Sequence, residues 1–571
     1  MKVLLLDLLR SIGLGIISGS IMAVVSNGFV LGVVYFTNMR MGMDRFSGEL
    51  FGLSANPIVI LWLLAAAVLV LATRRLAGID NWQTPADSIY AAHMPDTRLD
   101  HKKGFASTLA AFISASGGAS VGQYGPLVHF GGVMGSLFHR LSGRVFSPDV
   151  FIGCGVAGAI SAGFGAPIAG IIFAQEAIVR HFSLRAIAPI AVAGISASAV
   201  GSALFGTRQL FVIEYEAPEL FGVLPFLISS GVVFGLIAVF FMLSVRGIGR
   251  LGKMTGFSIT TLTLMAATIC GLVGTFIPEI LGLGTNVIND IFARDIALQF
   301  LVMLLVAKIG VTAICLGLGL FGGVFSPAML VGASSGMIGA KLAAMLGFVG
   351  LAPVLTVGGL AAVSASVIGA PISAVMIVFE LSGSYEFAVA AMICVVMSTL
   401  VSYLLFGHSY FSRQLKDRNI DITMGRGYLR MSELPVQDYM RRDEYLALKP
   451  GCTRADAVAK MAAAAVSEAY VLNNSAIFLG KVALFSLVEQ GDDGAQASSK
   501  QDTVMAYLEE EPLIIEAAAS VADAVQVASS FVGESLPILE AGTQRMIGVV
   551  NESDLFQAYL DLQREARQVE N

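Results

Sequence analysis

Charge is scarce in this chain. Only 13% of its 571 residues are Asp, Glu, Lys or Arg, about half the share of an ordinary soluble domain, and that scarcity excludes a water-exposed surface over most of the length. The 35 bases and 41 acids leave a net charge of −6 with no basic run, so there is no electrostatic footprint for a nucleic-acid partner. The five cysteines, Cys154, Cys270, Cys315, Cys394 and Cys452, are scattered without metal-ligand spacing and read as inert buried thiols. No nucleophile-base constellation, metal cluster or phosphate-cradling Walker loop is present, so the chain is not expected to be an enzyme or to require a cofactor. The opening is expected to be the first membrane helix and not a secretory signal. Asp7 and Arg10 interrupt the opening MKVLLLDLLRSIGLGIISG, no small-x-small cleavage site closes it, and apolar character runs on to Phe36.

What is abundant is apolar sequence, 56% of the residues. Apolar stretches recur at Ile12–Phe36, Pro57–Ala72, Ile187–Phe205, Val223–Leu243, Ile259–Ile277, Ile296–Cys315 and Phe387–Phe406. Several reach the ~20 residues a spanning helix needs. They predict a polytopic membrane domain over residues 1–430. About half of the acids lie after Gly425, where no spanning run exists, which predicts a second, soluble domain over 431–571.

The membrane part repeats itself. GAISAGFGAPIAGIIFAQE at 158–176 resembles AAVSASVIGAPISAVMIVFE at 361–380, and Glu176 and Glu380 each lie nine positions after Pro167 and Pro371. Upstream, glycine-rich turns closed by proline recur as GQYGP at 122–126 and GVFSP at 323–327, with proline-to-proline spacings of 41 and 44 residues. Such a repeat is the mark of a transporter-type fold with a site at the interface of two halves, although sequence leaves open whether the halves are inverted. Proline suits the first helical turn, so GPL, APIAG, SPAML and APISA each predict a helix start. A helix start offers unpaired N–H groups and a positive dipole end, and four such starts converging at mid-membrane would bind an anion weakly enough to release it.

At these residues the chain resembles the CLC chloride channel and transporter family. GQYGP is similar to that family's GREGP signature and GVFSP matches its GxFxP signature, within SASGGASVGQYGPLVHFGG and GLGLFGGVFSPAMLVG. The resemblance covers about residues 10–420 and includes His129, a position often His in the family. It implies an all-α membrane domain of inverted repeats with broken helices and a homodimer in which each subunit has its own pore. It also implies a pore lined by Gly122, Gln123, Tyr124, Gly125, Pro126, Gly323, Val324, Phe325 and Pro327, with the Val324 and Phe325 amides facing a central chloride or related anion.

The departures from the family pattern matter as much. The external gating glutamate stands here as Tyr124, preceded by Gln123 in place of arginine, and the internal proton-transfer glutamate falls at Ala177. The serine of GSGIP falls at Trp82 in NWQTP, residues 81–85, and the inner-gate tyrosine at Phe411, beside Tyr410. Proton coupling in the family needs a carboxylate at the gate, and a phenol with a pKa near ~10 rarely ionises at neutral pH. Tyr124 is therefore expected to act as a neutral gate. Glu176 and Glu380 are ionisable groups in apolar helices; their matched places favour a hydrogen bond to a neighbouring helix start over a functional role. Lys308 lies in another apolar helix with no partner readable from sequence.

A second repeat follows. LPVQDYM at 434–440 opens it, RADAVAKMA at 454–462 echoes VADAVQVAS at 521–529, and GKVALFSL at 480–487 echoes GVVNESDL at 548–555. This resembles a tandem pair of CBS domains, α/β units that often bind adenine nucleotides. The resemblance places a ribose-holding carboxylate at Asp554, whereas the first copy has Ser486. A nucleotide site and a purely structural or dimerising role both remain open, and the polar stretch 491–502 reads as a linker.

The expected function is a passive chloride channel in the cell membrane, its C-terminal pair cytoplasmic and regulatory. A proton-coupled or specialised anion antiporter is the alternative, motivated by Trp82 and Tyr124, and a membrane sensor with a degenerate pore is a third reading. Helix starts in place of a carboxylate ring argue against divalent cations.

Overall fold

A computed structural model describes residues 2–42, 48–50, 53–94, 99–141, 147–206, 210–211, 219–489, 502–531 and 533–570. They form two units, residues 1–421 and 422–571.

The first unit is helical and membrane-embedded. Among the described residues eight helices are long and apolar enough to cross a bilayer: Ile12–Met41, Ile58–Ala77, Ala186–Phe205, Leu220–Met254, Ile259–Phe276, Leu298–Gly317, Phe325–Met345 and Tyr385–Lys416. Each of the seven apolar runs in the sequence matches one of them, overhanging it by two residues at most. The eighth, Phe325–Met345, is rich in small residues and buried by its neighbours, so its sequence carries little of the greasy signature that lipid contact demands. The strands described in this unit are a short antiparallel pair, Gly48–Leu50 with Leu53–Ala55.

The sequence repeat is a structural repeat. In the first half the helix Tyr124–Leu141 crosses Pro148–Phe164 at Gly131 and Gly155. A Cβ added at Gly155 would lie 1.9 Å from the Gly131 carbonyl oxygen, and one at Gly135 would lie 2.1 Å from that of Phe151. In the second half Phe325–Met345 crosses Ala352–Ile368 at Gly332 and Gly359, where the corresponding approaches are 2.2 and 2.3 Å, with Gly336 2.0 Å from the Leu355 oxygen. Gly131 and Gly332 each follow their signature prolines by five residues, and Gly135 and Gly336 by nine. Small residues at a four-residue interval let membrane helices pack backbone to backbone, where dispersion replaces the absent hydrophobic drive.

Both second helices of these pairs then break in the same way. Gly165 and Gly369 end them in the left-handed region, at φ of +69° and +80°, and Pro167 and Pro371 restart the chain as Pro167–Phe173 and Pro371–Ser382. The first of these runs on as a π-helical turn, Ala174–Val179. Glu176 accepts from the Ile372 and Ser373 amides at 2.9 and 2.8 Å, while Glu380 accepts from those of Ile168 and Ala169 at 2.9 and 2.7 Å. Each carboxylate thus caps the start of the other half's helix. The start of each helix lies beside the end of the other only if the pair runs antiparallel, which is the arrangement of inverted halves.

The second unit is α/β and internally duplicated. Ala447–Leu448, Glu468–Leu472 and Phe478–Ala483 form one sheet; Ile515–Glu516, Leu536–Leu539 and Met546–Val550 form the other. In both sheets the first pair is parallel and the second antiparallel, with a register shift at Val471/Leu472 and again at Ile538/Leu539. The helices Arg454–Ala464 and Val521–Ala528 sit at the same place in each copy. Bridges Pro435 to Ser520 and Thr453 to Thr503 exchange the leading segment of each copy onto the other. Met431 and Val436 lie in this unit's core with Tyr428 packed against it, so it begins at residue 422, earlier than the expected 431. The linker expected at 491–502 lies, apart from Asp502, outside the described residues.

Candidate functional site

The two proline-closed turns meet. Gly122 and Gly323 exchange N–H to O hydrogen bonds of 2.6 Å in each direction, and no side chain fits between them. A Cβ on Gly122 would lie 2.9 Å from the Gly323 oxygen, and one on Gly323 would lie 3.0 Å from the Gly125 nitrogen. This bridge holds side by side the starts of Tyr124–Leu141 and Phe325–Met345, whose first residues Tyr124 and Phe325 meet edge-on. The first-turn amides of both helices have no acceptor within their own helix.

Two of the four expected starts are elsewhere. Those at Pro167 and Pro371 are sealed by Glu380 and Glu176 and offer nothing to a mobile anion, so the expectation of four converging starts is corrected to two. A further start, not among the expected four, lies beside these two. Pro85 opens the helix Pro85–Ala92 and lies 3.7 Å from where a Gly125 Cβ would be. The Thr84 amide donates to Asp87 at 2.7 Å, and the Thr84 hydroxyl donates to Gln414 Oε1 at 3.2 Å. Gln414 lies on the helix Tyr410–Lys416, which carries the buried Phe411. Trp82, just before Pro85, packs on Phe321 with ring centroids 5.5 Å apart and lies under the Arg74 guanidinium at 5.9 Å. Its indole Nε1 is buried without a hydrogen-bond partner.

Tyr124 is only 2% exposed. Its ring stacks on Phe164 with centroids 3.8 Å apart and meets Phe325 edge-on at 5.7 Å, while Phe164 and Phe325 are 5.3 Å apart. Its hydroxyl reaches the Gly163 carbonyl at a loose 3.5 Å. Three aromatic rings from both halves therefore form one cluster beside the starts of these two helices. Phe164 was not singled out in the sequence, where it reads as the apolar residue before a Gly-Ala-Pro break and aligns with Ile368 in the other half. His129 Nδ1 lies 2.9 Å from Ser88 Oγ, tying the Tyr124 helix to the Pro85 helix. Ala177 is buried in the π-helical turn. Lys308, fully buried, donates to the Ile280 and Gly282 carbonyls at 2.8 and 3.0 Å, so backbone oxygens take the place of an acid.

Residues 65–403, more than half of the chain, match the family model described as voltage gated chloride channel. The chain belongs to this family, the CLC family. Its curated relatives include a putative chloride channel protein ClcB-like from Ralstonia nicotianae, 26% identical and covering 59% of this chain and 80% of that protein. An H(+)/Cl(-) exchange transporter ClcA from Vibrio campbellii is 29% identical, over 56% of this chain and 69% of its own length. Among solved structures, a slow cyanobacterial Cl-/H+ antiporter aligns with a TM-score of 0.63 at 18% identity, over 72% of this chain and 98% of that one. A eukaryotic CLC transporter aligns with a TM-score of 0.61 at 19% identity, over 96% of this chain and 98% of its own. At these identities the structural likeness establishes the CLC fold alone.

In the C-terminal unit Asp554 is already engaged. Arg441 donates to its two carboxylate oxygens through Nε at 3.2 and 2.9 Å and through Nη2 at 2.8 Å, and the Asn551 amide donates at 3.2 Å. These bonds, with another to Glu444, push the Arg441 guanidinium further above its ordinary pKa. A carboxylate so held is not free for a ribose unless Arg441 moves.

Proposed function

We propose that the protein is a CLC-type anion antiporter, exchanging chloride or a related anion through a pathway in each subunit of a homodimer. In this reading Gly122, Gln123, Tyr124, Gly125, Pro126, Gly323, Val324, Phe325 and Pro327 form the central anion site. Trp82 and Phe411 flank it, and Tyr124 is its gate. The observation that carries the reading is the closed aromatic cluster of Tyr124, Phe164 and Phe325 over paired helix starts. Exchange requires a site that is shut on one side while it holds its ion, and a fully buried ring at that place supplies the shut state. The exchange transporters among the relatives point the same way. A passive channel is the second reading, favoured by one observation: neither position 124 nor position 177 carries an ionisable carboxylate to couple protons.

Chloride flux from loaded liposomes, recorded together with internal pH, separates the two. Antiport predicts that an anion gradient drives its counter-ion uphill at a fixed ratio, with protons tested first and a second anion next. Downhill chloride movement with no uphill partner supports the channel, and no flux at all rejects both in favour of a sensor with a degenerate pore. We infer in addition that the C-terminal unit is a tandem CBS pair on the cytoplasmic side of the cell membrane. The duplicated strand order and the exchange of leading segments support it. Adenine nucleotide at Asp554 is its candidate ligand.

A further inference from the structure

A cavity of about 510 Å³ opens beside the aromatic gate. Gln123 and Phe164 line it, and so does Arg40, from the last turn of the helix Lys2–Met41. Arg40 is only 5% exposed. Its Nη1 has no hydrogen-bond partner, and among the described residues no carboxylate pairs with it. A buried guanidinium without a counter-charge is strongly disfavoured, because its lost hydration is repaid by nothing. One more buried polar atom of a lining residue is unpartnered, Gln123 Oε1. Its carboxamide can also donate, through the amide N–H₂.

The surrounding backbone is shaped around the guanidinium. Gly118, at φ of +96°, ends the helix His101–Gly117, and any Cβ there would lie 1.6 Å from Arg40 Nη1. Behind the same wall Lys308 reaches Gly282, itself a lining residue, through the Gly282 carbonyl. The acids that line the cavity are Glu279 and Asp290, and Asp290 is drawn to Arg294 at 3.2 Å. One buried cation, Arg40, therefore lines a chamber in which Glu279 is the one lining acid without an ion pair among the described residues.

We propose that Arg40 is the core of a second anion-binding site, an entry chamber in which a small inorganic anion waits before the Tyr124 gate. The proposal rests on the anion-transport reading. Position 123, next to the gate, carries a neutral glutamine, and Arg40 supplies a positive charge to the same chamber from a different helix. The volume accommodates an anion with part of its water, so capture here does not demand full dehydration.

The test uses full-length protein with bromide as the probe. Crystals soaked in sodium bromide should give an anomalous peak within hydrogen-bonding distance of the Arg40 guanidinium. That peak should be lost in Arg40→Met and kept in Arg40→Lys. In liposomes, Arg40→Met should raise the half-saturating chloride concentration on the chamber side by about fivefold, with Arg40→Lys close to the unmutated protein. A purely structural Arg40 predicts a lower melting temperature in both variants, no bromide peak and unchanged half-saturation in whatever protein folds, and that result overturns the proposal. A bromide peak at Arg40 in a protein that carries no chloride flux leaves the site standing and removes the transport reading.

Discussion

In the proposed gate Tyr124 stands where the family pattern has a carboxylate, and its geometry says which part of the side chain matters. The ring is stacked at 3.8 Å on Phe164, whereas the hydroxyl has a loose 3.5 Å contact with the Gly163 carbonyl and a neighbour in the Gln123 side chain. In the proposed closed state the ring is therefore held by aromatic packing, worth about 0.5–1.5 kcal/mol beyond buried area. Tyr124→Ala should raise anion flux about tenfold or less, the range that packing energy allows, and Tyr124→Phe should leave the closed state intact while altering anion selectivity. Tyr124→Glu should introduce pH dependence without proton coupling, since Ala177 offers no second carboxylate. Flux, selectivity and pH profiles in liposomes check all three; identical behaviour in folded protein would reduce Tyr124 to core packing. Its place in the signature was legible in sequence. Its partner Phe164 was not, because a single apolar residue before a helix break does not announce what it touches 40 residues away.

The broken helices show why a matched motif can be read correctly for its geometry and incorrectly for its use. All four prolines do open helices, yet two of the starts are closed by Glu176 and Glu380. Each carboxylate satisfies two amides, and an orphaned buried donor costs about 1–3 kcal/mol. Glu176→Ala or Glu380→Ala should each lower stability by about 2–4 kcal/mol, with Gln in place of Glu recovering part of it. Thermal unfolding in detergent measures this, and the double variant should fall short of additivity if the two caps hold one pair. The glycine crossings are less forgiving. Gly332→Val would drive its Cβ into the Gly359 carbonyl, 2.2 Å away, and the same clash awaits Gly131→Val at Gly155. Both variants should fail to give monodisperse protein on gel filtration, while Gly339→Val on the same helix, whose Cβ meets nothing closer than 3.9 Å, should be recovered normally.

At the scale of the molecule, the C-terminal unit has its own apolar cores, around Val436, Ile538 and Val550 and around Ala457, Val471 and Val482. It also has a buried ion pair, Lys481 with Glu468 at 2.7 Å. Residues 422–571 expressed alone should fold cooperatively, as circular dichroism during heating would report, and Lys481→Met should cost about 3–5 kcal/mol by stranding the Glu468 carboxylate. Calorimetry of that fragment with adenosine, AMP and ATP tests the nucleotide site. With Arg441 holding Asp554, binding is expected to be weak and to tighten in Arg441→Gln. No binding to either protein at millimolar ligand would leave the pair a structural or dimerising module.

The membrane class, the two-unit plan, both internal repeats and the signature turns follow from sequence alone, because hydropathy, proline and glycine act locally and leave a mark at each position. Tertiary structure decided the rest. Whether the halves are inverted, which helix starts face each other, what caps the others, and where Arg40 and Lys308 find themselves are matters of distance between residues far apart in the chain. The amides of Ile372 and Ser373 meet Glu176 only after the two halves have folded against each other, and no spacing along the sequence encodes that meeting.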